Sequence, residues 1–594
     1  MILVGDIEAN GFYDEVTQIW CAVFKDIKTE KMYEYRPENI HQLPNLLDKA
    51  TVLLMHNGVQ YDIPVIEKVL GYHFPGRVMD TLAVSRIERP RRHAHSLESW
   101  GETLQYAKFE FDEWHKFSEQ MLIYCRRDVE VTHKVAQELG CVGEEFLLRH
   151  KVVSTLFSNL AKQERNGWAV DVPHMERSLH MLHKWKEKIR VATEPYLPII
   201  PEYGRPINKP FKRDGNLTQI AERYCNESEL PRDFVSGPFH RCSFRRVSLD
   251  KSAELKEFFL SQGWKPEQWN HGKDGARTSP KLSIDDGFEG IEGKLGRIVV
   301  KYVQCKQREG IVRGWKEGLR ADGRLPSKVA GLAVTSRARH AVIANIPRNT
   351  SFFGKWMRKH FISRPGWTLV GADAVACQLR MLAARMGDKE YTNKVLTEDI
   401  HTVNMLLSGL DDRTDAKTLI YALIFGASNA KLTRMLRRDA APVRARLMAN
   451  LPSLRRLLRM VEEDWKRTAK RGVTPWGKRE WKDGHVLGLD GRIIPVNSAH
   501  KILMGLLQSD EAILMQYAYN LYHSKLDRHG LVYGKDYGVC CWYHEEIDSE
   551  CQPMYAELIG RLKCDSIEQA GKLLKIDCPM QGEFKMGQNW AEIH

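Results

Sequence analysis

The sequence predicts a multidomain chain that combines mixed α/β and α+β folds. With 594 residues it is longer than one hydrophobic core usually organises, so about two to four domains are expected. Apolar strand-like runs alternate with helical stretches up to about residue 148, which is typical of a mixed α/β domain. Beyond that point the pattern is long, helical and charged, and from about residue 331 strand-like and helical segments mix again.

The charge balance suggests an anionic partner. Lysine and arginine outnumber aspartate and glutamate by 89 to 76, which leaves a net charge of +13. A nucleic-acid backbone would satisfy this excess, since each neutralised phosphate releases a counterion, although a well-solvated surface explains the charge equally well. The 12 cysteines show no zinc-type spacing, and the sequence contains neither a signal peptide nor a long apolar run. We therefore expect a cytoplasmic protein with no membrane partner.

Five residues of the first domain form a candidate metal site. Asp6 and Glu8 lie two apart on a predicted strand, so their side chains leave the strand on the same face. Asp62 follows a turn, and Tyr124 and Asp128 are four apart in a helical context, where they share a face. Each motif alone more often marks a solvated strand edge or a helix cap. Together, four converging carboxylates are what two divalent metal ions need for phosphoryl displacement, with a tyrosine hydroxyl to orient the water.

A second pattern places cations and aromatic rings at intervals of four residues. Arg413, Lys417, Tyr421 and Phe425 fall on one gently drifting stripe of a helix predicted over residues 413–426. Two cations followed by two aromatic residues could grip a triphosphate at one end and stack on a base pair at the other. Considered alone, an amphipathic helix with both rings in the core would explain the same spacing.

Two strand-like runs add acidic residues to this second pattern. The run 367–373 ends at Asp373, and the run 539–547, predicted as a strand or hairpin, carries Glu545 and Glu546. Carboxylates from separate strands beside a cationic helix could hold two Mg²⁺ ions against a nucleoside triphosphate and a primer 3′-hydroxyl. The chemistry that this pattern predicts is nucleotidyl transfer.

These patterns occur in an order that resembles a known family. The first-domain acids with their tyrosine resemble the proofreading domain of DEDD exonucleases, in the variant with tyrosine in the third motif, over roughly residues 1 to 135. The whole chain resembles the family A (DNA polymerase I-like) DNA polymerases, and within them the replicative polymerases of T-seven-like podophages. The stretches that carry the resemblance, in addition to the acids, are 161–167, 399–402, 413–426, 489–492, 506–509 and 585–590.

The resemblance implies a fold, a domain order and a function. A ribonuclease H-like 3′→5′ exonuclease domain would precede a right-hand polymerase with palm, fingers and thumb. The implied limits are 1–148 for the exonuclease, 149–330 for the thumb, 331–387 and 504–594 for the palm, and 388–503 for the fingers. The implied function is DNA-templated DNA synthesis with proofreading, which replicates phage DNA in the host cell cytoplasm.

The resemblance also assigns roles to single residues. The exonuclease metals would be held by Asp6, Glu8, Asp62 and Asp128, with Tyr124 positioning the attacking water. The catalytic acids of the polymerase would be Asp373 and Glu545, which hold the metals, together with Glu546. Two Mg²⁺ ions are implied for each active site, with Mn²⁺ as a substitute. The incoming nucleotide would contact His401, Arg413, Lys417, Tyr421, Phe425 and Gln378. Primer-template DNA would contact Arg337, Gln508, His544 and Arg492.

Several positions depart from the family pattern. Glu545 stands where the family has aspartate, and its extra methylene moves the carboxylate by about 1.5 Å, more than the roughly 0.5 Å that catalytic constellations tolerate. Gln378 stands where the family usually has a glutamate that packs under the sugar, so the shape is kept while hydrogen bonding and charge change. Phe425 replaces a tyrosine and keeps the stacking face. Tyrosine at position 421 implies ready acceptance of dideoxynucleotides.

A proline-rich and basic stretch at about 196–247 is predicted to be a long loop or insertion. It lies where the phage enzymes carry a loop that recruits a processivity factor, and its basic character favours DNA or an acidic partner protein as its ligand. The other partners that the resemblance implies are primer-template DNA, deoxynucleoside triphosphates and a phage helicase-primase.

Three alternatives remain open at the level of sequence. Glu545 leaves room for a 3′→5′ exonuclease whose polymerase module is impaired and chiefly binds DNA. A non-catalytic nucleic-acid-binding protein is the second alternative, and the intact acid set of the first domain argues against it. A single-subunit RNA polymerase is the third, and polymerases of that type lack a proofreading domain.

Overall fold

The computed structural model of the chain describes residues 1–142, 146–266, 268–272, 276–282, 288, 290–473 and 479–594. Two compact units are formed. The first comprises Met1–Asp171, Gly318–Asn349 and Arg358–His594, and the second comprises Val172–Glu317 and Thr350–Met357. None of the helices in the described ranges is long and apolar enough to cross a membrane.

The first unit begins with a five-stranded mixed sheet. Its strands are β1 (Ile2–Ala9), β2 (Ile19–Asp26), β3 (Met32–Tyr35), β4 (Val52–Met55) and β5 (Arg77–Asp80). The order is β3-β2-β1-β4-β5, with β2 antiparallel to β1 and β3, and β4 parallel to β1 and β5. The accompanying helices are α1 (Leu43–Leu47), α2 (Asp62–Leu70), α3 (Thr81–Glu88), α4 (Leu97–Thr103) and α5 (Glu119–Glu138). A mixed α/β domain is therefore observed where the sequence predicts one.

Helix α5 connects this sheet to the candidate metal site. It begins after Ser118, whose hydroxyl accepts a hydrogen bond from the backbone N–H of Met121 and so caps the helix. Its apolar face, which includes Leu122 and Cys125, is buried in the core beside β1 and β2. The Cys125 thiol lies 3.4 Å from the carbonyl oxygen of Asp6, so α5 meets β1 at one of the predicted metal ligands.

Helix α6 (Leu148–Asn166) and strand β6 (Trp168–Val170) follow in the first unit, although α6 falls inside the 149–330 range implied for the thumb. The second unit then contains α7 (Val172–Thr193), β7 (Ile199–Ile207), α8 (Gln219–Glu227), β8 (Phe239–Arg246), α9 (Ser252–Ser261), β9 (Trp269–His271), β10 (Arg277–Pro280) and α10 (Lys294–Glu317). The two long helices α7 and α10 pack along each other. Lys186 and Glu309 join them through an ion pair of 2.6 Å.

The segment 196–247 differs from the loop that the sequence predicts. It contains the antiparallel pair β7 and β8 together with α8. A small core of its own is formed by Ile207, Leu217, Ala221 and Cys225. The strands escaped prediction because β7 is exposed along most of its length, so it lacks the alternation of apolar and polar residues that reveals a half-buried strand.

The remaining elements of the chain include those that build the second candidate site. These are β11 (Arg324–Leu325), β12 (Val329–Leu332), β13 (Ala338–His340), α11 (Gly354–Arg358), β14 (Phe361–Ile362), β15 (Thr368–Ala374), α12 (Cys377–Met386), α13 (Lys389–Thr397), α14 (Ile400–Ser408), α15 (Arg413–Ile424), α16 (Asn429–Leu436), α17 (Ala440–Asn450) and α18 (Pro452–Thr468). They are followed by β16 (Lys470–Val473), β17 (Arg479–Lys482), β18 (Gly484–Leu487), β19 (Ile493–Val496), α19 (Ile502–Arg528), β20 (Tyr537–Tyr543), β21 (Glu546–Cys551), α20 (Ala556–Leu573), β22 (Gly582–Gly587) and α21 (Trp590–Ile593).

A four-stranded antiparallel sheet, in the order β20-β21-β15-β22, organises the C-terminal part of the first unit. Helix α20 packs on it, and the buried ammonium group of Lys563 donates hydrogen bonds to the carbonyl oxygens of Val370 (2.5 Å) and Ile547 (3.0 Å). One side chain of α20 thus ties together the two strands that carry the predicted acids. With this sheet the combination of mixed α/β and α+β folds is confirmed.

Candidate active sites

The acids of the second candidate site meet at one end of the four-stranded sheet. Asp373 pairs with Glu546 in the register of β15 and β21, and Glu545 occupies the two-residue turn between β20 and β21. The backbone N–H of Ala374 donates to the carbonyl oxygen of Glu545 over 3.2 Å. The turn is held further by Trp542, whose indole N–H donates to the carbonyl oxygen of His544 over 2.7 Å. The structure therefore brings Asp373 and Glu545 together although they are far apart in sequence.

The electrostatics of this end of the sheet suit a cation. Burial, followed by the charges of Glu545, Glu546 and Glu583, raises the pKa of Asp373 to about 8. The Oδ1 atom of Asp373 is buried and has no hydrogen-bond partner among the described residues. A buried carboxylate oxygen without a partner is costly, and oxygen ligands of this type are the ones that hard divalent cations prefer. Asp373 and Glu545 therefore fit the donor set of a divalent metal ion.

Glu546 has a different environment from Glu545. It is 3% exposed and accepts hydrogen bonds from the indole of Trp590 (3.3 Å) and the imidazole of His594 (2.5 Å). Burial acts to raise the pKa of Glu546, but the hydrogen bond and charge of His594 leave that pKa below its usual value. Both oxygens of Glu546 are engaged by the C-terminal residues, so the structure gives it a supporting position beside Asp373 rather than that of an open catalytic ligand.

Helix α15 presents the predicted stripe on its solvent side. Arg413, Lys417 and Phe425 are exposed and Tyr421 is half-buried. The opposite side of the helix is buried, as shown by Ala416, Leu419, Ile420, Leu423 and Ile424. Phe425, 43% exposed, lies just after the helix ends at Ile424, whereas the half-buried ring of Tyr421 packs against the apolar core. The two cations and Phe425 are open to a ligand, and the ring of Tyr421 is partly covered.

Two residues of the neighbouring helix face this stripe. Asp399 caps α14 and accepts two hydrogen bonds from Arg413, of which the one from Nη2 measures 2.8 Å. The ring of His401 lies 6.0 Å from that of Tyr421, and its Nδ1 is buried without a partner in the described part of the chain. Burial and the charges of Lys417 and Arg413 lower the pKa of His401, so its neutral form is favoured.

A hydrogen-bonded network links two of the predicted contact residues to an acid that the sequence analysis missed. Gln378 donates from Nε2 to Glu511 over 2.8 Å, and Arg337 donates from Nη2 to the other oxygen of Glu511 over 2.6 Å. Glu511 is 1% exposed, and burial followed by the charge of Glu545 raises its pKa to about 7. The signal that could have revealed it is the adjacent acid pair 510–511 inside an otherwise apolar helix.

The three other residues that were predicted to contact DNA differ in their exposure to solvent. Gln508 is half-buried on α19, and His544 is exposed in the turn beside Glu545. Arg492 was expected to contact DNA, but its side chain is fully buried between Asp490, at 2.6 Å, and Gln516, at 2.9 Å. Since these partners satisfy the guanidinium inside the protein, that expectation is corrected, and Arg492 has a structural role.

The first candidate site lies at the sheet of the N-terminal domain and collects all five predicted residues. Asp6 and Glu8 extend from β1, and Asp62 starts α2, with its Oδ1 accepting a hydrogen bond from the backbone N–H of Ile7 over 3.2 Å. Asp128 and Tyr124 lie on α5. Atoms of Asp6, Glu8 and Cys125 that could bind a metal lie within 4.8 Å of one another. The thiol of Cys125 was not among the expected site residues.

Mutual repulsion adds to burial in the electrostatics of this first site. Burial followed by neighbouring carboxylates raises the pKa of Asp6 well above its usual value, and burial is also the largest cause for Glu8, Asp62 and Asp128. The resulting pKa is about 7 for Asp62 and about 6 for Asp128. The Oδ1 atom of Asp128 is buried without a hydrogen-bond partner among the described residues. Added divalent cations would relieve this repulsion, so the four acids fit a metal site.

A partly buried cation, Lys108, is the third site residue that was not predicted, after Glu511 and Cys125. Its ammonium group forms an ion pair with Asp128 at 2.5 Å and lies 4.7 Å from the centre of the Tyr124 ring. Burial alone would lower the pKa of Lys108, but the charge of Asp128 and the hydrogen bonds to Asp128 and Tyr124 raise it. Lys108 belongs to a segment without regular secondary structure, so periodicity offered no means to place it.

The chain is similar to several known proteins. The family model described as DNA polymerase family A matches residues 294–592, half of the 594-residue chain. The DNA-directed DNA polymerases of Enterobacteria phage T3 and Escherichia phage T7 are each 26% identical to the chain, with 100% of this chain and 100% of each relative covered. A solved structure of the POL domain of Pol1 from M. smegmatis, in complex with DNA primer-template and dNTP, is similar in fold, with a TM-score of 0.68 at 14% identity. That likeness covers 99% of this chain and 95% of the other.

The structural role of Arg492 can be tested by its removal. Arg492→Ala leaves the carboxylate of Asp490 buried without its cation, so we expect the free energy of unfolding to fall by about 3–5 kcal/mol. Arg459→Ala, at an exposed position of α18, is the matched control and should change it by less than about 0.5 kcal/mol. Urea denaturation of the full chain measures both. A stable Arg492→Ala variant that binds primer-template DNA weakly would restore the DNA-contact role.

Proposed function

The chain belongs to DNA polymerase family A and is a DNA-directed DNA polymerase, and we propose that it couples DNA synthesis to 3′→5′ proofreading through two separate carboxylate sites. The DNA-synthesis part of this proposal rests on one observation, the proximity of Asp373 to the turn that carries Glu545 at the end of the four-stranded sheet. The proofreading half rests on the four acids and Tyr124 gathered on β1, α2 and α5. The match to DNA polymerases also disfavours an RNA polymerase.

We propose that α15 binds the incoming deoxynucleoside triphosphate. Arg413 and Lys417 would hold the phosphates, with His401 as a further donor beside Tyr421. Asp399 already fixes the guanidinium of Arg413 through two hydrogen bonds, so little ordering is left for the ligand to impose. The rings of Tyr421 and Phe425 would stack against the sugar and the nascent base pair.

Polymerases of this family use divalent metals, and we propose Mg²⁺ as the ion and Mn²⁺ as a substitute. Asp373 and Glu545 would hold it at the polymerase site, and Asp6, Glu8, Asp62 and Asp128 at the exonuclease site. When bound, two such ions would activate the attacking oxygen and neutralise charge on the phosphate. Tyr124 would orient the attacking water at the exonuclease site, and Lys108 would exchange its present partner Asp128 for the phosphate of the primer strand.

We further propose that the long hairpin of the second unit, formed by the antiparallel strands β7 and β8 with α8 in their connection, binds the DNA backbone. Its exposed surface carries the cations Arg205 and Arg241 and the rings of Tyr203 and Phe244, which are 69% and 74% exposed. Arg245 is engaged by Glu202 and Glu254, so it supports the hairpin instead of extending from it. Cations with aromatic rings between them are the usual composition of a surface that follows a nucleic-acid strand.

The exonuclease proposal predicts slower primer shortening while synthesis is kept. Asp128→Asn should slow removal of nucleotides from a 5′-labelled primer by about 100-fold or more, because a ligand of the metal is removed. Primer extension in the presence of all four deoxynucleotides should persist. Asp48→Asn, at an exposed position of the same domain, is the control and should shorten the primer at the parent rate. Equal shortening by Asp128→Asn and the parent would rule out this site.

The polymerase proposal predicts faster nucleotide incorporation when the side chain at position 545 is shortened. Glu545→Asp should raise the rate of nucleotide incorporation about tenfold, since the anchored turn cannot retreat to absorb the extra methylene of glutamate. Glu546→Asp is the contrasting change and should lower the rate, because the shorter side chain can no longer reach both His594 and Trp590. Single-turnover extension in Mg²⁺ measures both. If Glu545→Asp is no faster than the parent, the turn accommodates glutamate and the synthetic site is complete as it stands.

The hairpin proposal predicts a change in the salt dependence of DNA binding. Arg205→Gln combined with Arg241→Gln should reduce the slope of log Kd against log salt concentration by about 2, roughly one unit for each phosphate that is no longer neutralised. Lys28→Gln combined with Lys49→Gln makes the same charge change at exposed positions of the first domain and should leave the slope unaltered. Titration of labelled primer-template DNA gives the slopes. Identical slopes in the hairpin variant and the parent would exclude DNA as the ligand of the hairpin.

A further inference from the structure

We infer that Glu511 is a positioning residue for nucleotide incorporation, which locks Gln378 on the nucleotide side and Arg337 on the primer side into one arrangement. This inference rests on the roles proposed for those two residues. Glu511 is not one of the groups proposed to contact the reacting atoms. It acts through the two side chains that donate to it, at 2.8 Å and 2.6 Å.

The three residues come from three separate elements. Gln378 lies in the first turn of α12, which follows shortly after the end of β15, the strand that carries Asp373. Arg337 lies in the turn between β12 and β13, and Glu511 lies in the N-terminal half of the long helix α19. A further hydrogen bond of 2.8 Å joins Gln516 of α19 to the carbonyl oxygen of Ser336 in that same turn. The turn is therefore tied to α19 at two points, of which Glu511 is one.

Electrostatic effects place Glu511 close to the active acids. The pKa of Tyr421 is raised by burial and then by the charges of Glu545, Cys377 and Glu511. The pKa of the Cys377 thiol is raised by burial and then by Glu511, Glu545 and Asp373. Glu511 therefore shares its surroundings with both proposed metal ligands and with the ring that would face the nucleotide. A buried carboxylate beside other carboxylates is destabilising, so its presence calls for a function or a compensating partner.

The neighbouring acid, Asp510, is a carboxylate with a purely structural role between α12 and α19. It is fully buried and forms a two-bonded ion pair with Arg385 of α12, at 2.6 Å and 2.7 Å. Gln378 and Arg385 are separated on α12 by about two helical turns, so they lie on one face. Helices α12 and α19 are thus joined at two points. At one point Asp510 and Arg385 form a complete ion pair, and at the other the carboxylate of Glu511 accepts a hydrogen bond from the neutral amide of Gln378.

The bond to Glu511 dictates how Gln378 is oriented. Above its raised pKa of about 7 the carboxylate of Glu511 accepts hydrogen bonds and donates none, so only the NH₂ end of the Gln378 amide can face it. The carbonyl oxygen of Gln378 is then directed away from Glu511 and presents an acceptor to the nucleotide side. With glutamine at position 511, the donor-only guanidinium of Arg337 would take the new carbonyl oxygen, so the NH₂ group of residue 511 would face Gln378 and the amide of Gln378 would be reversed.

A reciprocal exchange tests this arrangement in the full chain. We compare Glu511→Gln, Gln378→Glu and the double variant Gln378→Glu/Glu511→Gln. The Kd of the next correct deoxynucleotide is measured on a dideoxy-terminated primer-template with Asp128→Asn in every variant, so that neither synthesis nor primer shortening intervenes. The kcat and KM are measured on an extendable primer. Asp510→Asn is the structural control and should lower Tm while leaving the nucleotide Kd unchanged.

We expect each single variant to weaken nucleotide binding about tenfold or more, since Glu511→Gln reverses the amide of Gln378 and Gln378→Glu sets two carboxylates against each other. The double variant restores one carboxylate and one amide to the same hydrogen bond and should return to within about threefold of the parent. An unaffected Gln378→Glu variant would reject the nucleotide-side role of Gln378 itself. An impaired Gln378→Glu variant that the second substitution does not rescue would reject the inference about Glu511. Rescue of Tm without rescue of Kd would likewise overturn it.

Discussion

The pairing of β15 with β21 is the constraint on which the polymerase site depends. Its register sets Asp373 opposite Glu546, and the bond from Ala374 to the carbonyl of Glu545 fixes the turn at the adjoining strand end. A slip of one residue would turn Asp373 to the other face of the sheet, since successive side chains of a strand alternate. Lys563 opposes such a slip, because its buried ammonium group binds a carbonyl oxygen of each strand. The positions of the acidic residues on β15 and β21 thus depend on the buried ammonium group of Lys563 beneath the sheet.

The two candidate sites differ in how nearby cations balance their buried carboxylates. Each gathers carboxylates in a buried place, and each shows raised pKa values for which burial is the largest cause. In the N-terminal domain the internal cation Lys108 pairs directly with Asp128, a proposed metal ligand. At the polymerase site the cation Arg337 pairs with Glu511 instead, and the Oδ1 atom of Asp373 has no hydrogen-bonding partner among the described residues. In the first site the cation is thus bound to one oxygen of a proposed metal ligand, and in the second it is bound to an acid that is not proposed to hold the metal.

The sequence was sufficient for the elements whose patterns are local. The strands β1, β4 and β15, the β20–β21 hairpin and the stripe of α15 follow from short runs of apolar residues and from spacings of two or four. It was insufficient where the partner of a residue is remote. Arg492 has a near neighbour in Asp490, but only the fold shows that the distant Gln516 completes its burial. Lys108 lies in an irregular segment, and β7 is too exposed to show a strand pattern. For Arg492 and Lys108 the deciding interaction is tertiary, which no local periodicity records.

The departures from the family pattern at the polymerase site are physically connected. Gln378 replaces a glutamate that the family resemblance leads one to expect, which removes one negative charge from the start of α12. Glu511, whose carboxylate binds the Gln378 amide at 2.8 Å, supplies a negative charge one side chain further away. The carboxylate is thereby moved from α12 to α19, where Arg337 can neutralise it. The charge of Glu545 still acts on Glu511 there, since it helps to raise the pKa of that carboxyl. The residue at 378 is therefore best understood together with Glu511 and Arg337, as one arrangement of charge beside the strands that carry the acids.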